Sequence, residues 1–179
     1  NYSFDAYQRW AGREELLIRD WLPLMQSVLV LNSGVGGDII SARIILAFVV
    51  SFGMAMGALL VRKLAAESAG WCFAALCFFG PALCWTVVPY QEGCYWALLT
   101  SGFYLSFRAR ENPLLRWHRW MADLAMGALA LCRTEGWPLV LVYVLWWRDR
   151  RSLRALWGIG LWSIWKWMIG QEPHHPSPV

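Results

Sequence analysis

The chain has 179 residues, of which 58% are hydrophobic and only 16% charged, and its mean hydropathy is +0.38. Soluble domains carry about 25% charged and about 45–50% apolar residues, so this composition excludes an ordinary soluble globular domain. The net charge of +4 would suggest a nucleic-acid partner in a soluble protein, but in so apolar a chain it indicates basic cytoplasmic loops, and we expect no nucleic acid.

The first 41 residues are predicted to form an outer-face loop that contains interfacial helices. The apolar stretch 21–31 is too short to cross a bilayer, which takes about 20 helical residues, and Pro23 interrupts it. A helix lying in the membrane interface fits this length better. The Gly-rich stretch 32–41 lacks the spacing of a dinucleotide-binding fingerprint, so we expect a plain loop there.

Six apolar runs follow and predict an all-α fold, a polytopic transmembrane helix bundle of about six spans. Several runs are short: the run 120–132 would reach only about 20 Å as a helix, whereas a hydrocarbon core is about 30 Å thick. Either flanking Trp residues extend the helices into the interface, or the corners between them dip below the membrane surface. The bundle comprises residues 42–170, and its runs are 42–61, 70–88, 94–107, 120–132, 137–147 and 155–170.

The basic residues predict which side of the membrane each loop faces. If the six spans alternate in direction, three loops that hold ten of the sixteen Lys and Arg residues fall on one side. By the positive-inside tendency that side is cytoplasmic, and the other polar segments share the outer face. The predicted cytoplasmic loops are 62–69, 108–119 and 148–154, and the outer segments are 1–41, the corners 89–93 and 133–136, and the loop or tail 171–179.

Ionisable residues gather on the predicted outer face. Such residues are costly at membrane depth and survive there when they are paired or functional. Glu92, Arg133 and Glu135 lie at the ends of apolar runs. An interfacial ion pair that fixes a helix corner therefore explains them as well as a catalytic site does. Asp5, taken alone, is typical of a solvated acid in a polar loop.

Six short motifs share one order along the chain. They are FDAYQRW from Phe4, DWLPL from Asp20, ARI from Ala42, PYQE from Pro89, LCRTEG from Leu131 and WMIGQEP from Trp167. Through these motifs the chain resembles the GT-C superfamily of polytopic membrane glycosyltransferases. That superfamily includes the protein O-mannosyltransferases and related bacterial enzymes that use polyprenyl-phosphate sugars.

The chain departs from the family pattern at two points. Many family members carry two adjacent acids where this chain has Phe4 and Asp5, which weakens the assignment of Asp5. The family's first membrane helix would precede Asn1. We therefore expect this chain to be a fragment of a longer polytopic protein, inactive by itself if the missing helices are needed.

The resemblance implies transfer of a hexosyl group from a polyprenyl-phosphate donor to an acceptor at the outer membrane face, periplasmic or lumenal. Asp5 would be the catalytic base that takes the acceptor proton. Arg133 would bind the donor phosphate, because a guanidinium matches phosphate with a bidentate fork. The residues expected to bind or orient the substrate are Glu135, Glu92, Tyr90, Asp20 and Trp137.

The expected partners are the lipid bilayer, the lipid-linked sugar donor and an acceptor that is a protein, a lipid or a glycan. The sequence requires no cofactor and indicates no metal site. The absence of a DxD motif argues against a soluble nucleotide-sugar transferase that holds a metal through two aspartates, and no P-loop, HExxH or GxSxG motif is present either. His174 and His175 leave open a site for a divalent metal, although a mobile tail explains these two residues as well. The alternatives are a transporter or flippase subunit with a polar substrate path, and a membrane scaffold.

Overall fold

The structure is a computed structural model that describes residues 24, 32, 36, 39–79, 91–114 and 116–170. These residues are all-helical, which confirms the predicted all-α class. Residues 80–90 and the segment 171–179 lie outside the described residues. The elements are α1 (Ile39–Leu64), α2 (Glu67–Phe79), α3 (Gln91–Glu111), α4 (Arg116–Cys132), α5 (Gly136–Trp147), a 3-10 helix (Arg150–Leu156) and α6 (Trp157–Gly170).

Helices α1 and α3 lie side by side and run in the same direction. Thr100 of α3 donates its hydroxyl to the carbonyl oxygen of Gly53 in α1 at 2.8 Å. Towards the carboxyl ends of the same helices, Lys63 pairs with Glu111. The helices come this close because Gly53 has no side chain: a Cβ there would meet the backbone of Ala97. Small residues play this role at helix contacts in membranes.

The fully buried core lies among α4, α5 and the 3-10 helix. Helix α6 crosses α4 where two glycines meet, since a Cβ on Gly158 would collide with the carbonyl oxygen of Gly127. A Cβ on Gly127 would in turn collide with the indole ring of Trp157. The fully buried core residues are Ala122, Met126, Leu129, Ala130, Val140, Tyr143 and Ala155.

Within the described residues, one helical segment, Arg43–Leu64, is long and apolar enough to cross a membrane. Only 22% of its most apolar window is buried, whereas the core helix of a soluble protein would be mostly buried. Phe48 and Phe52 are 74% and 54% exposed on its surface, as expected for side chains that face lipid. Gly136–Trp147 is a shorter apolar helix. A bundle of about six spans stays a prediction.

The helix bounds differ from the predicted apolar runs at α3. This helix extends from Gln91 to Glu111, 21 residues, whereas the apolar run covered only 94–107. At 1.5 Å per residue it is about 32 Å long, but its polar ends keep it from being apolar enough to count as a membrane span. The added turns carry Glu92 at the start and Arg108 near the end. Polar residues of α3 therefore continue the helix beyond its apolar part.

Other boundaries also differ from the prediction: α2 begins at Glu67 and α4 at Arg116, each inside a predicted cytoplasmic loop. Helix α1 begins at Ile39, inside the segment 1–41 that was expected to be an outer loop. The predicted sixth run, 155–170, begins inside the 3-10 helix rather than at the start of α6. The 3-10 helix forms because the carboxylate of Asp149 accepts a hydrogen bond from the backbone N–H of Ser152 at 2.8 Å and so caps a tight helical turn.

Candidate functional site

The guanidinium of Arg133 lies between two carboxylates at the corner where α4 ends and α5 begins. Its Nη1 donates to Oε1 of Glu92 at 2.6 Å. Its Nε and Nη2 donate to the two carboxylate oxygens of Glu135 at 3.2 and 2.9 Å. Of the five guanidinium N–H groups, these bonds use three, so two N–H groups are not engaged by the described residues. We call Glu92, Arg133 and Glu135 the Arg133 cluster.

The local backbone explains how Arg133 and Glu135 come to face each other. The N–H of Arg133 still bonds to the carbonyl of Leu129 in the last turn of α4, at 3.3 Å, and the N–H of Gly136 bonds to the carbonyl of Arg133 at 3.0 Å. This close turn requires glycine, because a Cβ on Gly136 would lie 2.8 Å from the carbonyl oxygen of Leu129. Glu135 is the N-cap residue of α5, where the helix dipole favours a negative charge.

The charges of the cluster stabilise one another. The hydrogen bonds to Glu135 raise the pKa of Arg133 above its ordinary value. The hydrogen bond from Arg133 lowers the pKa of Glu135 below its ordinary 4.5. Arg133 therefore stays cationic, and Glu135 is a weak base at neutral pH. This arrangement suits Glu135 to orienting the guanidinium rather than to accepting a proton from a substrate.

A residue of the predicted first loop packs against this end of the bundle. Leu24 contacts a buried group formed by Leu46 of α1, Cys94 of α3 and Cys132 of α4. Cys132 immediately precedes Arg133 in the chain, and Cys94 follows Glu92 by two positions. Leu24 itself therefore lies at the same end of the helices as the Arg133 cluster.

Trp137, predicted to bind or orient the substrate, is held by the bundle itself. Its Nε1 donates to the carbonyl oxygen of Ala130 at 3.1 Å, and its ring stands edge-on to Trp162 of α6, with 4.8 Å between ring centroids. It lies one turn beyond Arg133 along the chain and contributes to packing between α5 and α6. The predicted site residues Asp5, Asp20 and Tyr90 lie outside the described residues.

A second polar group, which the sequence reading missed, lies towards the opposite end of α4. The buried carboxylate oxygen Oδ1 of Asp123 accepts hydrogen bonds from the hydroxyl of Tyr143 at 2.7 Å and from Nε of Arg119 at 3.1 Å. Nη2 of Arg119 also donates to Asp149 at 3.3 Å. The sequence carried one signal for this group, an acid inside the apolar run 120–132, since such residues are paired or functional.

The described residues contain no group of three or more His, Cys, Asp or Glu side chains that could hold a metal ion. His174 and His175 lie outside them. Comparison of the chain with protein-family models, with curated protein sequences and with solved structures finds no match. A functional assignment therefore rests on the geometry of the Arg133 cluster and on the sequence motifs.

Proposed function

We propose that the chain belongs to a membrane glycosyltransferase of the GT-C type, which moves a sugar from a polyprenyl-phosphate donor to an acceptor at the membrane face where the Arg133 cluster lies. The observation that supports it is the position of Arg133, fixed by Glu92 and Glu135 at one end of the bundle with N–H groups left to donate. The side chain of Arg133 is 33% exposed, so a ligand can reach it.

On the donor side, the bond between the anomeric carbon and the phosphate oxygen breaks, and the electron pair goes to the lipid phosphate. The remaining N–H groups of Arg133 stabilise the charge that develops on this leaving group. Glu135 holds the guanidinium plane through two hydrogen bonds, so little reorganisation is needed when the phosphate arrives. The exposed apolar surface of α1 suits the lipid and the polyprenyl chain of the donor.

On the acceptor side, Asp5 takes the proton from an acceptor hydroxyl or amine as the new glycosidic bond forms. Asp20, Tyr90 and Trp137 bind or orient the sugar in this proposal, and Glu92 accepts hydrogen bonds from its hydroxyls. The contact of Leu24 with the bundle supports the proposal, because it brings part of the first loop to the end that carries the cluster.

The proposed topology places the Arg133 cluster on the outer face and the loops 62–69, 108–119 and 148–154 in the cytoplasm, with about six spans between them. Two ion pairs support the grouping of these basic loops. The pair of Lys63 with Glu111 joins α1 to α3, and the pair of Arg119 with Asp149 joins α4 to the segment after α5. Both pairs lie at the end of the helices opposite the cluster.

The test is sugar transfer by the full-length protein in proteoliposomes, from a panel of polyprenyl-phosphate sugars. The variant Arg133→Ala is compared with a matched control, Arg62→Ala. The control breaks the ion pair between Nη2 of Arg62 and Oε1 of Glu67, which are 3.1 Å apart at the end of α1 that is far from the Arg133 cluster. We expect transfer by the wild type and by Arg62→Ala, and none by Arg133→Ala.

Two outcomes would contradict the proposal. If the folded wild-type protein transfers sugar from no donor, the transporter or flippase reading replaces it, and uptake or flipping of lipid-linked sugars is the next measurement. If both variants lose the same activity, Arg133 and its carboxylates form a structural ion pair at a helix corner rather than a donor site.

A further inference from the structure

A cavity of about 340 Å³ opens at the end of the bundle that carries the basic loops, far from the Arg133 cluster. It lies between the end of α3, the start of α4 and the 3-10 helix. The charged residues that line it are Arg116, Arg119, Arg151, Arg154 and Asp149. Their formal charge is +3, so the concave surface attracts an anion. We propose that this cavity binds a phosphate group carried on a larger molecule.

Most of the positive charge in the cavity is not neutralised by the protein. Within residues 39–79, 91–114 and 116–170, Arg119 has carboxylate partners, Asp123 and Asp149, whereas Arg116 and Arg151 have none. Even Arg119 keeps a buried Nη1 without a hydrogen-bond partner in this part of the chain. Buried N–H groups are normally satisfied. A small turn of the guanidinium towards the cavity would let an anionic oxygen satisfy this one.

Two tryptophans hold the arginines in position. The guanidinium of Arg119 lies 3.4 Å from the ring centroid of Trp147, and that of Arg154 lies 4.0 Å from the centroid of Trp120. Stacking on an aromatic ring occupies the face of a guanidinium and leaves the N–H groups at its edge for hydrogen bonding. Arginines fixed in this way lose little conformational freedom when they bind a phosphate.

The size of the cavity favours a phosphate ester over a bare ion. A volume of about 340 Å³ falls in the range of small-ligand sites and exceeds what one phosphate needs. Two sources supply this chemistry, the headgroup of an anionic phospholipid and a soluble phosphate ester in the aqueous phase. Basic pockets between membrane helices bind lipid headgroups, and tryptophans collect at membrane interfaces.

The inference does not depend on the proposed glycosyl transfer. Helix α4 separates the cavity, at Arg116, from Arg133 at its other end, and its 17 residues span about 25 Å. A molecule in the cavity does not touch the Arg133 cluster. Binding in the cavity and sugar transfer at the Arg133 cluster can therefore be measured independently, and either can fail without the other.

The test measures binding to the purified full-length protein in detergent, in two arms. Native mass spectrometry counts adducts of phosphatidylglycerol against phosphatidylcholine, and equilibrium dialysis measures radiolabelled inorganic phosphate. The variant Arg151→Gln, in the cavity, is compared with Arg150→Gln, a neighbour in the same loop that does not line the cavity. Both variants remove one charge from an exposed side chain.

We expect Arg151→Gln to weaken binding about fivefold, the effect of about 1 kcal/mol for one arginine near an anionic group, and Arg150→Gln to leave it unchanged. Adducts of phosphatidylglycerol without binding of inorganic phosphate would identify a lipid headgroup, and binding of inorganic phosphate a soluble phosphate. If neither probe binds, or if both variants weaken binding equally, the cavity is not a phosphate site and the loops attract anions only through their net charge.

Discussion

Tyr143 donates its hydroxyl to Oδ1 of Asp123 at 2.7 Å, and both side chains are enclosed between α4 and α5. Because a buried carboxylate needs hydrogen-bond donors, this contact ties the two helices together in the core. Tyr143→Phe should lower the free energy of unfolding by about 1–3 kcal/mol, since among the described residues Asp123 then keeps only Arg119 as a donor. Thermal unfolding in detergent measures the change.

The matched control for Tyr143→Phe is Tyr104→Phe in α3. The hydroxyl of Tyr104, a half-buried side chain, makes no hydrogen bond to the described residues, so the same chemical change should have little effect there. Equal shifts in the two variants would show that the loss of a phenol, and not the bond to Asp123, lowers the stability.

The crossing of α4 and α6 gives a packing prediction. A methyl group on Gly158 would collide with the carbonyl oxygen of Gly127, whereas one on Gly160, two residues along the same helix, would meet nothing within 4 Å. Gly158→Ala should therefore cost about 1–3 kcal/mol through overpacking. Gly160→Ala should stabilise α6 by about 0.5–1 kcal/mol, because alanine favours the helix. The measurement is the free energy of unfolding of both variants in detergent. Equal changes for Gly158→Ala and Gly160→Ala would contradict the close crossing of α4 and α6.

The depressed pKa of Glu135 predicts a pH dependence of stability. The ionised carboxylate bonds to Arg133 in the folded protein, so its contribution is complete above the ordinary pKa of 4.5 and is lost as the pH falls through the lower folded value. The unfolding temperatures of the wild type and of Glu135→Gln should therefore differ between pH 6 and 8, and the difference should shrink only as the pH falls below the ordinary pKa of 4.5. A difference that stays constant down to pH 3 would rule out this linkage.

The proposed donor site predicts that charge alone does not replace Arg133. Arg133→Lys keeps the positive charge but loses the planar fork that bonds to Glu92 and Glu135 at once. Sugar transfer by the full-length protein should fall by about 100-fold or more. Glu67→Gln, which removes the acid of another helix-corner ion pair, should leave transfer unchanged. If Arg133→Lys kept full activity, a positive charge alone would be sufficient at position 133, and the planar fork would not be needed.

The catalytic base makes a separate prediction. If Asp5 takes the acceptor proton, Asp5→Asn in the full-length protein abolishes transfer, because an amide cannot accept that proton. Binding of the lipid-linked donor, measured by native mass spectrometry, should persist in this variant, since Arg133 holds the phosphate. Intact turnover by Asp5→Asn would remove this residue from the proposed mechanism.

Hydropathy predicted the existence of most helices but not their full lengths. The apolar run 94–107 marks only the middle of α3, since its polar ends are helical too. Helix propensity and capping, which hydropathy does not measure, continue the helix through Glu92 and Arg108. In the same way, the bond from the backbone N–H of Ser152 to the carboxylate of Asp149, which begins the 3-10 helix, depends on local geometry that an apolar run does not record.

The sequence also identified the members of the Arg133 cluster but not their pairing across the bundle. Glu92 and Arg133 are 41 residues apart, and only the packing of α3 on α4 brings them to 2.6 Å. The sequence does not predict the cavity lined by arginines. The basic residues of loops 108–119 and 148–154 indicate membrane orientation, but they do not indicate which of these side chains meet in the fold. The stacking of Arg119 on Trp147 is a contact between distant segments, and no local pattern predicts it.

The hydrogen bond from Thr100 to the backbone of Gly53 makes the residue tolerated at each position depend on the residue at the other. A side chain larger than hydrogen at position 53 would push α3 away from α1, and Thr100 would then lose its acceptor. Conversely, a bulky residue at position 100 would separate the two helices and so relax the contact with Ala97 that requires glycine at position 53. In related sequences, when they are compared, these two positions are expected to change together, as a covarying pair that records the contact between α1 and α3.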